Sequence, residues 1–326
     1  MPENAIPEQD MPEKIILDTD PGIDDAMAIF FAMSSPKIDL LGLTTTFGNV
    51  SVDMATDNAL RLVEMMDKEI PVAKGVAQPL VQEPAPFPDF VHGKDGFGNL
   101  NLAPPKGQAI DLSAAEFIVK TIMDNPNQIT LIAIGPLGNL ATALALEPKI
   151  ADLVKKVVIM GGTIKEDGNV SPIAEANIFG DSHAADAVFS AKWHVHMIGL
   201  DVTHKVTLTD KQQQYIRDNN SVFGDFLYKA GAFYTQFYMS YRCVNGCFMH
   251  DTSAIAYVIN PDLFEVVTGP IRVATEGVGR GQTILKNNDY VYPENHWDDI
   301  SDSTVCMGVN EQGVLDLYTN TLIGKL

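Results

Sequence analysis

KIILDTDPGIDD, residues 14–25, is the stretch that decides the fold: an apolar run ends abruptly in four carboxylates. Ile15, Ile16 and Leu17 read as a short buried strand, Pro21 and Gly22 break it, and residues 26–33 carry apolar side chains at helical spacing. Strand, tight turn and helix start in succession are the opening of an α/β sheet. In open sheets of this kind ligands bind at the carboxyl ends of the strands, facing helix N-termini. Asp18, Asp20, Asp24 and Asp25 therefore crowd the one place such a fold keeps open. Like charges that close repel by roughly several kcal/mol in a cleft of low dielectric, so a cation belongs among them. All-oxygen ligands suit a hard ion, Ca2+ or Mg2+, better than zinc or copper. The plainer reading is that acidic residues favour a helix N-terminus. It accounts for Asp24 or Asp25 but not for the whole cluster.

Outward from this stretch the same unit recurs. Residues 40–46 are a second β-rich run ending in Phe47, Gly48 and Asn49, and Ser51 is placed to cap a helix with apolar positions from Val52 to Met66. A third strand spans 72–74. Residues 78–107, rich in Pro, Gly and Asn, form a long loop of the kind that is usually functional or disordered. A capping box at 113–116 opens a helix to residue 124. Strands at 129–134, 156–160 and 195–200 alternate with helices at 137–146 and 181–191. The alternation predicts a single-domain α/β protein, a mainly parallel open sheet flanked by helices on both faces, Rossmann-like, with its strand ends on one rim. From 209 to 242 the pattern is helical and includes an aromatic stretch at 223–241. His250 and Asp251 open a further helix, and β signals beyond Asn260 are weak. GVGRG at 277–281 neither follows a convincing strand nor opens a helix, so it is no dinucleotide fingerprint.

A chain of 326 residues with 46% hydrophobic content can bury a large core. No linker divides it, which predicts one domain over 14–326 after a disordered, polar, Pro-rich tail over 1–13. That tail has neither the basic nor the apolar region of a signal peptide. A net charge of -20 argues against nucleic acid and against an anionic membrane surface as partners. No apolar run reaches the roughly 18 residues that span a bilayer. Cys243, Cys247 and Cys306 lack the pairing of a disulfide framework or zinc site, so a cytoplasmic location is expected.

DTDPGIDDA (18–26) resembles the signature of the nucleoside hydrolases, the calcium-dependent N-ribohydrolases, particularly the inosine-uridine-preferring group. Other motifs agree in order: TTTFGN (44–49), HGKDG (92–96), IGPLGNLA (134–141), VVIMGG (157–162), AEANIFGD (174–181), GLDVTH (199–204) and HDTSAIAYVINP (250–261). The resemblance implies the nucleoside hydrolase fold, a homodimer or homotetramer, and hydrolysis of inosine, uridine and related ribonucleosides to free base and ribose. By position, Asp20, Asp25 and Asp251 match the carboxylates that bind Ca2+, and Ile134 matches a residue that gives its backbone carbonyl. Many relatives carry Thr there. Asp20 also matches the base that deprotonates the attacking water.

Asp24, Asn49, Asn169, Glu175 and Asn177 match ribose-contacting positions, and Met160 matches a residue lying against the sugar. His250 matches the general acid for the leaving base and His92 a second histidine that reaches the base, while the long loop around His92 and the aromatic helix with Tyr234 and Tyr238 match mobile elements that close over it. Ala176 stands where relatives often have Phe. Asp18 is expected to support its neighbours, and Arg242 to steady the aromatic helix through a carboxylate.

Each of these has a plainer reading alone. Asn49 and Asn169 stand beside glycines as turn residues do, Glu175 reads as a solvated carboxylate, Met160 as core, and His250 as a cap. The aromatic stretch reads equally well as helix packing. Two rivals remain in view. A HAD-like metal-dependent phosphatase uses the first Asp of a DxD motif as nucleophile, but wants a hydroxyl or small β-branched residue where Gly22 stands and has no use for Asp24 and Asp25. A non-catalytic ribose- or nucleoside-binding protein would share the cleft but lack Asp20 or the ion.

Overall fold

Strand β1 (Glu13–Thr19) is hydrogen-bonded on both sides, to β2 (Ile38–Thr45) and to β4 (Ile129–Ala133), all running parallel. The computed structural model describes residues 11–293 and 296–325. The remaining strands are β3 (Val72–Lys74), β5 (Lys156–Met160), β6 (Val195–Ile198), β7 (Thr207–Leu208), β8 (Cys247–Phe248), β9 (Phe264–Gly269), β10 (Ile271–Val273), β11 (Thr283–Leu285) and β12 (Ser303–Val309). Eight of them form one sheet in the order β3-β2-β1-β4-β5-β6-β12-β9, with β9 alone antiparallel to its neighbour. The chain moves outward from β1 to β3 on one side and from β4 to β6 on the other. The order thus reverses between β1 and β4, which is where an open α/β sheet leaves a crevice.

Burial follows from the pleat. Successive side chains of β1 point to opposite faces, so Ile15 and Leu17 join one core layer while Ile16 joins the other. Helices Ile23–Ser34, Gly224–Arg242, His250–Ile259 and Glu311–Leu322 cover the first face. Helices Ala114–Asp124, Gly138–Leu146 and Ser182–Phe189 cover the second. Covered on both sides, β1 is continuously buried from Ile15 onward.

The structure adjusts several expectations. Residues 1–10 lie outside the described residues, and Glu13, assigned to the tail, is already in β1, its N–H donating to the Lys37 carbonyl at 2.8 Å. The weakly signalled C-terminal region supplies β9 and β12, which complete the large sheet. Residues 277–281 lie in the β10–β11 connection. The long loop contains a one-turn helix, Asp89–His92, and Asp95 pins it by accepting the N–H groups of Phe97, Asn99 and Asn101 at 2.9, 2.8 and 2.7 Å. The three cysteines are free. Among the described residues no helix is long and apolar enough to cross a membrane.

Candidate active site

At the crevice a cavity of about 170 Å³ opens over the strand ends. Its lining includes Asp24, Asn49, His92, Ile134, Met160, Asn169, Glu175, Asn177, Tyr238, His250 and Asp251, drawn from stretches far apart in the chain. Asp20 and Asp25 are buried and outside that lining. Asp25 is held by four donors: the Thr19 hydroxyl at 2.5 Å, the Asp20 N–H at 3.2 Å, and the Gly22 N–H and Asn49 amide at 2.9 Å each. Asp20 Oδ2 accepts the Asn49 N–H at 2.6 Å, while its Oδ1 is buried with no hydrogen-bond partner. Asp24 Oδ2 accepts the Tyr234 hydroxyl at 2.8 Å, and its Oδ1 is likewise bare. Asp18 accepts from Thr44 and from the Asn139 amide, which ties the ends of β1 and β2 to the helix after β4 and supports the cluster from beneath.

The carboxylates are uncomfortable as they stand. Burial, opposed by the Thr44 and Asn139 hydrogen bonds, pushes Asp18 up to about 7. Burial also raises Asp24 to about 6, and burial plus the Asp24 charge raises Asp25 to about 6. Asp20 and Asp251 lie well above the ordinary range, first from burial and then from the surrounding carboxylates. Among the described residues none of the five forms an ion pair with lysine or arginine. Ligand oxygens of Asp24, Asp25 and Asp251 all lie within 4.8 Å of one another. Bare, converging, mutually repelling oxygens are the donor set a hard metal ion takes. The closest trio contains Asp24, expected as a ribose contact, rather than Asp20. The Asp20 charge nonetheless acts on Asp251.

Two glycines that the sequence marks only as strand-ending residues make this packing possible. A Cβ at Gly48 would lie 2.0 Å from Asp20 Oδ2, and one at Gly135 2.5 Å from Oδ1. Their only signal was position, each closing a strand.

On the second flank Glu175 is 2% exposed, not solvated. It caps the short helix Ala176–Gly180, accepting from Asn177 and Ile178 N–H, and it also accepts the Gly162 N–H at 2.9 Å. Burial, set against these hydrogen bonds, lifts it to about 7. The Asn177 amide donates to the Ile134 carbonyl at 2.9 Å and the Met160 carbonyl at 3.1 Å, joining the ends of β4 and β5. The Ile134 carbonyl retains a second lone pair. Asn169 Oδ1 accepts the Ala176 N–H at 2.9 Å.

The other flank is aromatic. His92 Nδ1 accepts the Ile23 N–H at 3.2 Å, and burial pushes its pKa down to about 4. Tyr234, read in the sequence as equally suited to packing, donates to Asp24, 210 residues away, so it belongs to the site. Its oxygen lies 3.2 Å from the Tyr238 hydroxyl, which lies 2.8 Å from His250 Nε2. His250 Nδ1 is 2.8 Å from the Thr203 hydroxyl. Each hydroxyl has one hydrogen to give. Tyr234 spends its hydrogen on Asp24, so Tyr238 donates to Tyr234 and accepts from His250 Nε2–H. Neutral His250 is then the Nε2–H tautomer, its Nδ1 accepting from Thr203. Burial holds the His250 pKa well below the ordinary value. Arg242 steadies its helix through the Gly168 carbonyl at 3.0 Å, not through a carboxylate as expected.

A doubly wound sheet with a buried carboxylate cluster at its switch point, roofed by aromatic and imidazole groups, is the architecture of an α/β enzyme whose cluster could bind a metal ion. The model of the family described as inosine-uridine preferring nucleoside hydrolase matches residues 15–316, and the chain belongs to that family. It is 41% identical over 314 residues to the probable uridine nucleosidase 2 of Arabidopsis thaliana, covering 95% of this chain and 98% of that one. It is 40% identical over 287 residues to the inosine-uridine preferring nucleoside hydrolase of Leishmania major, covering 87% and 90%. Among solved structures, a plant nucleoside hydrolase superposes with a TM-score of 0.92 at 37% identity, covering 95% of this chain and 99% of that one. The purine-preferring ribonucleoside hydrolase of Gardnerella vaginalis gives 0.89 at 33%, covering 96% and 99%.

Proposed function

We propose that the protein is a Ca2+-dependent ribonucleoside hydrolase that cleaves the N-glycosidic bond of uridine, inosine and related nucleosides to free base and ribose. The observation that carries this reading is the buried carboxylate cluster, with bare oxygens on Asp20 and Asp24, beside a cavity lined by amides and imidazoles. Asp20, Asp25, Asp251 and the Ile134 carbonyl would hold Ca2+, with Asp24 beside them. Bound there, the ion supplies Lewis-acid polarisation and fixes substrate hydroxyls.

The chain's own residues do the rest. Asp20 carries a bare Oδ1 and a raised proton affinity, which suits a base that takes a proton from attacking water. Asp24, Asn49, Asn169, Glu175 and Asn177 surround the sugar, and Met160 lies against it. Their carboxylates stabilise the positive charge that develops as the glycosidic bond loosens. His250 serves the departing base. Burial makes its imidazolium a strong acid, and the Thr203 hydroxyl can accept as well as donate, so it accommodates both protonation states. His92 and Tyr238 contact the base. The reading extends to a cytoplasmic homodimer or homotetramer in nucleoside catabolism, with light scattering as the check on assembly.

Purified protein with Ca2+ should release reducing sugar from uridine or inosine, and chelation should abolish release. No sugar from any common ribonucleoside with Ca2+ present would overturn the proposal.

A further inference from the structure

The motif GLDVTH at residues 199–204 folds into the one-turn helix Leu200–Thr203 after β6, and the reaction as described gives its carboxylate no task. Asp201 is 4% exposed and is not part of the cavity lining. It accepts the N–H groups of Ile164, Lys165 and Glu166 at 2.7, 2.7 and 3.2 Å. Three consecutive backbone donors converge on one buried carboxylate. Hydrogen bonds to an ionised acceptor are the strong kind, so this is a firm anchor.

The loop it anchors leads from β5 to Asn169 and Glu175. Residues 165–167 and 169–170 are exposed, so packing alone does not fix them. The far side of the loop is tied by Arg242 to the Gly168 carbonyl, and Asn169 is tied by its N–H to the Ala174 carbonyl at 3.2 Å. We propose that Asp201 is a positioning residue: it holds residues 163–166 so that Asn169 and Glu175 are pre-set against the ribose. This inference rests on the hydrolase reading above. Preorganisation of this kind lowers the cost of binding and leaves the leaving group untouched.

The test uses the full chain with Ca2+ and compares wild type, Asp201→Asn, Asn169→Ala and the variant that combines the two. Asp201→Asn should raise KM for uridine and inosine about tenfold, the scale of one lost charged hydrogen bond, with kcat nearly unchanged. The thermal shift induced by ribose should disappear while that induced by Ca2+ persists. Adding Asn169→Ala should raise KM by less than the product of the single effects, because Asn169 is already displaced. A fall in kcat at constant KM, as from a reduced folded fraction, would overturn the proposal, as would KM effects that simply multiply. Should Asp201→Asn fail to fold, Lys165→Pro removes one donor from the exposed side of the loop and must raise KM in the same way, less strongly. Absence of turnover in the wild type overturns the hydrolase reading alone. The ribose-induced shift, present in wild type and lost in the variant, then decides the anchoring role.

Discussion

At its N-terminal end β1 presents Glu13, whose carboxylate meets Lys155 Nζ at 2.6 Å and the Thr130 hydroxyl. At and just past its C-terminal end come Asp18 and Asp20, which meet no cation side chain among the described residues. Burial tends to raise Glu13, but Lys155 and Thr130 outweigh it and the pKa settles below the ordinary value. At the other end burial and like charge prevail, and the carboxylates lie far above theirs. One strand thus shows both treatments of an acid drawn out of solvent, the half-buried one matched with a partner and the buried ones left wanting. The unmet end is the one that faces the crevice, as expected where a site is prepared for a ligand rather than for stability alone.

The contrast is broken most severely by Asp20→Ala. Turnover of uridine should fall by roughly 10²- to 10⁴-fold, the range for losing a positioned base, and the rise in melting temperature expected from Ca2+ in wild type should be lost. Normal turnover in this variant would mean that the wanting end of β1 is not where the chemistry is. Next, His250→Ala should cost on the order of 10²-fold on inosine but far less on an activated aryl riboside, whose leaving group departs without a proton. Equal losses on both substrates would remove the general acid from the account.

A smaller effect concerns pH. Carboxylates raised in the folded state hold protons that the unfolded chain, titrating near about 4, has already released, so their contribution to stability is lost as pH rises through the folded values. Buried histidines such as His92, pushed down to about 4, act in the opposite sense, but only below about 6.5, where unfolded imidazoles gain protons. The metal-free protein should therefore melt at a lower temperature at pH 8 than at pH 6.5, and Ca2+ should raise the melting point more at pH 8. A melting point that climbs with pH in the absence of metal would contradict the repulsion at the site. Smallest of all, Glu13→Gln at the matched end should cost about 1 kcal/mol or less in chemical denaturation and leave turnover unchanged, since a partly exposed pair is worth little.

Much of this was legible along the chain. Local patterning fixes where an apolar run becomes a strand, and Ser51 and Ser113 cap their helices as their spacing predicted. The acidic cluster announced itself because eight consecutive residues hold four of its carboxylates. The edge of the sheet was faint because β9 lies at the margin, with Val266 and Val267 exposed, and so lacks the buried pattern of a central strand. Tyr234 stood out only as part of an aromatic helix near the base, because only the fold shows that its hydroxyl reaches Asp24.

The sequence by itself determined an alternating α/β chain, a cation-seeking cluster after its first strand and the family to which those motifs belong. Only the tertiary structure decided which oxygens remain bare, that Gly48 and Gly135 close around Asp20, that Tyr234 and Tyr238 link Asp24 to His250, and that Asp201 holds the loop before Asn169. The physical reason is range. Strand and helix preferences act over a few residues, whereas a carboxylate's proton affinity depends on burial and on charges brought beside it by the packing of distant segments.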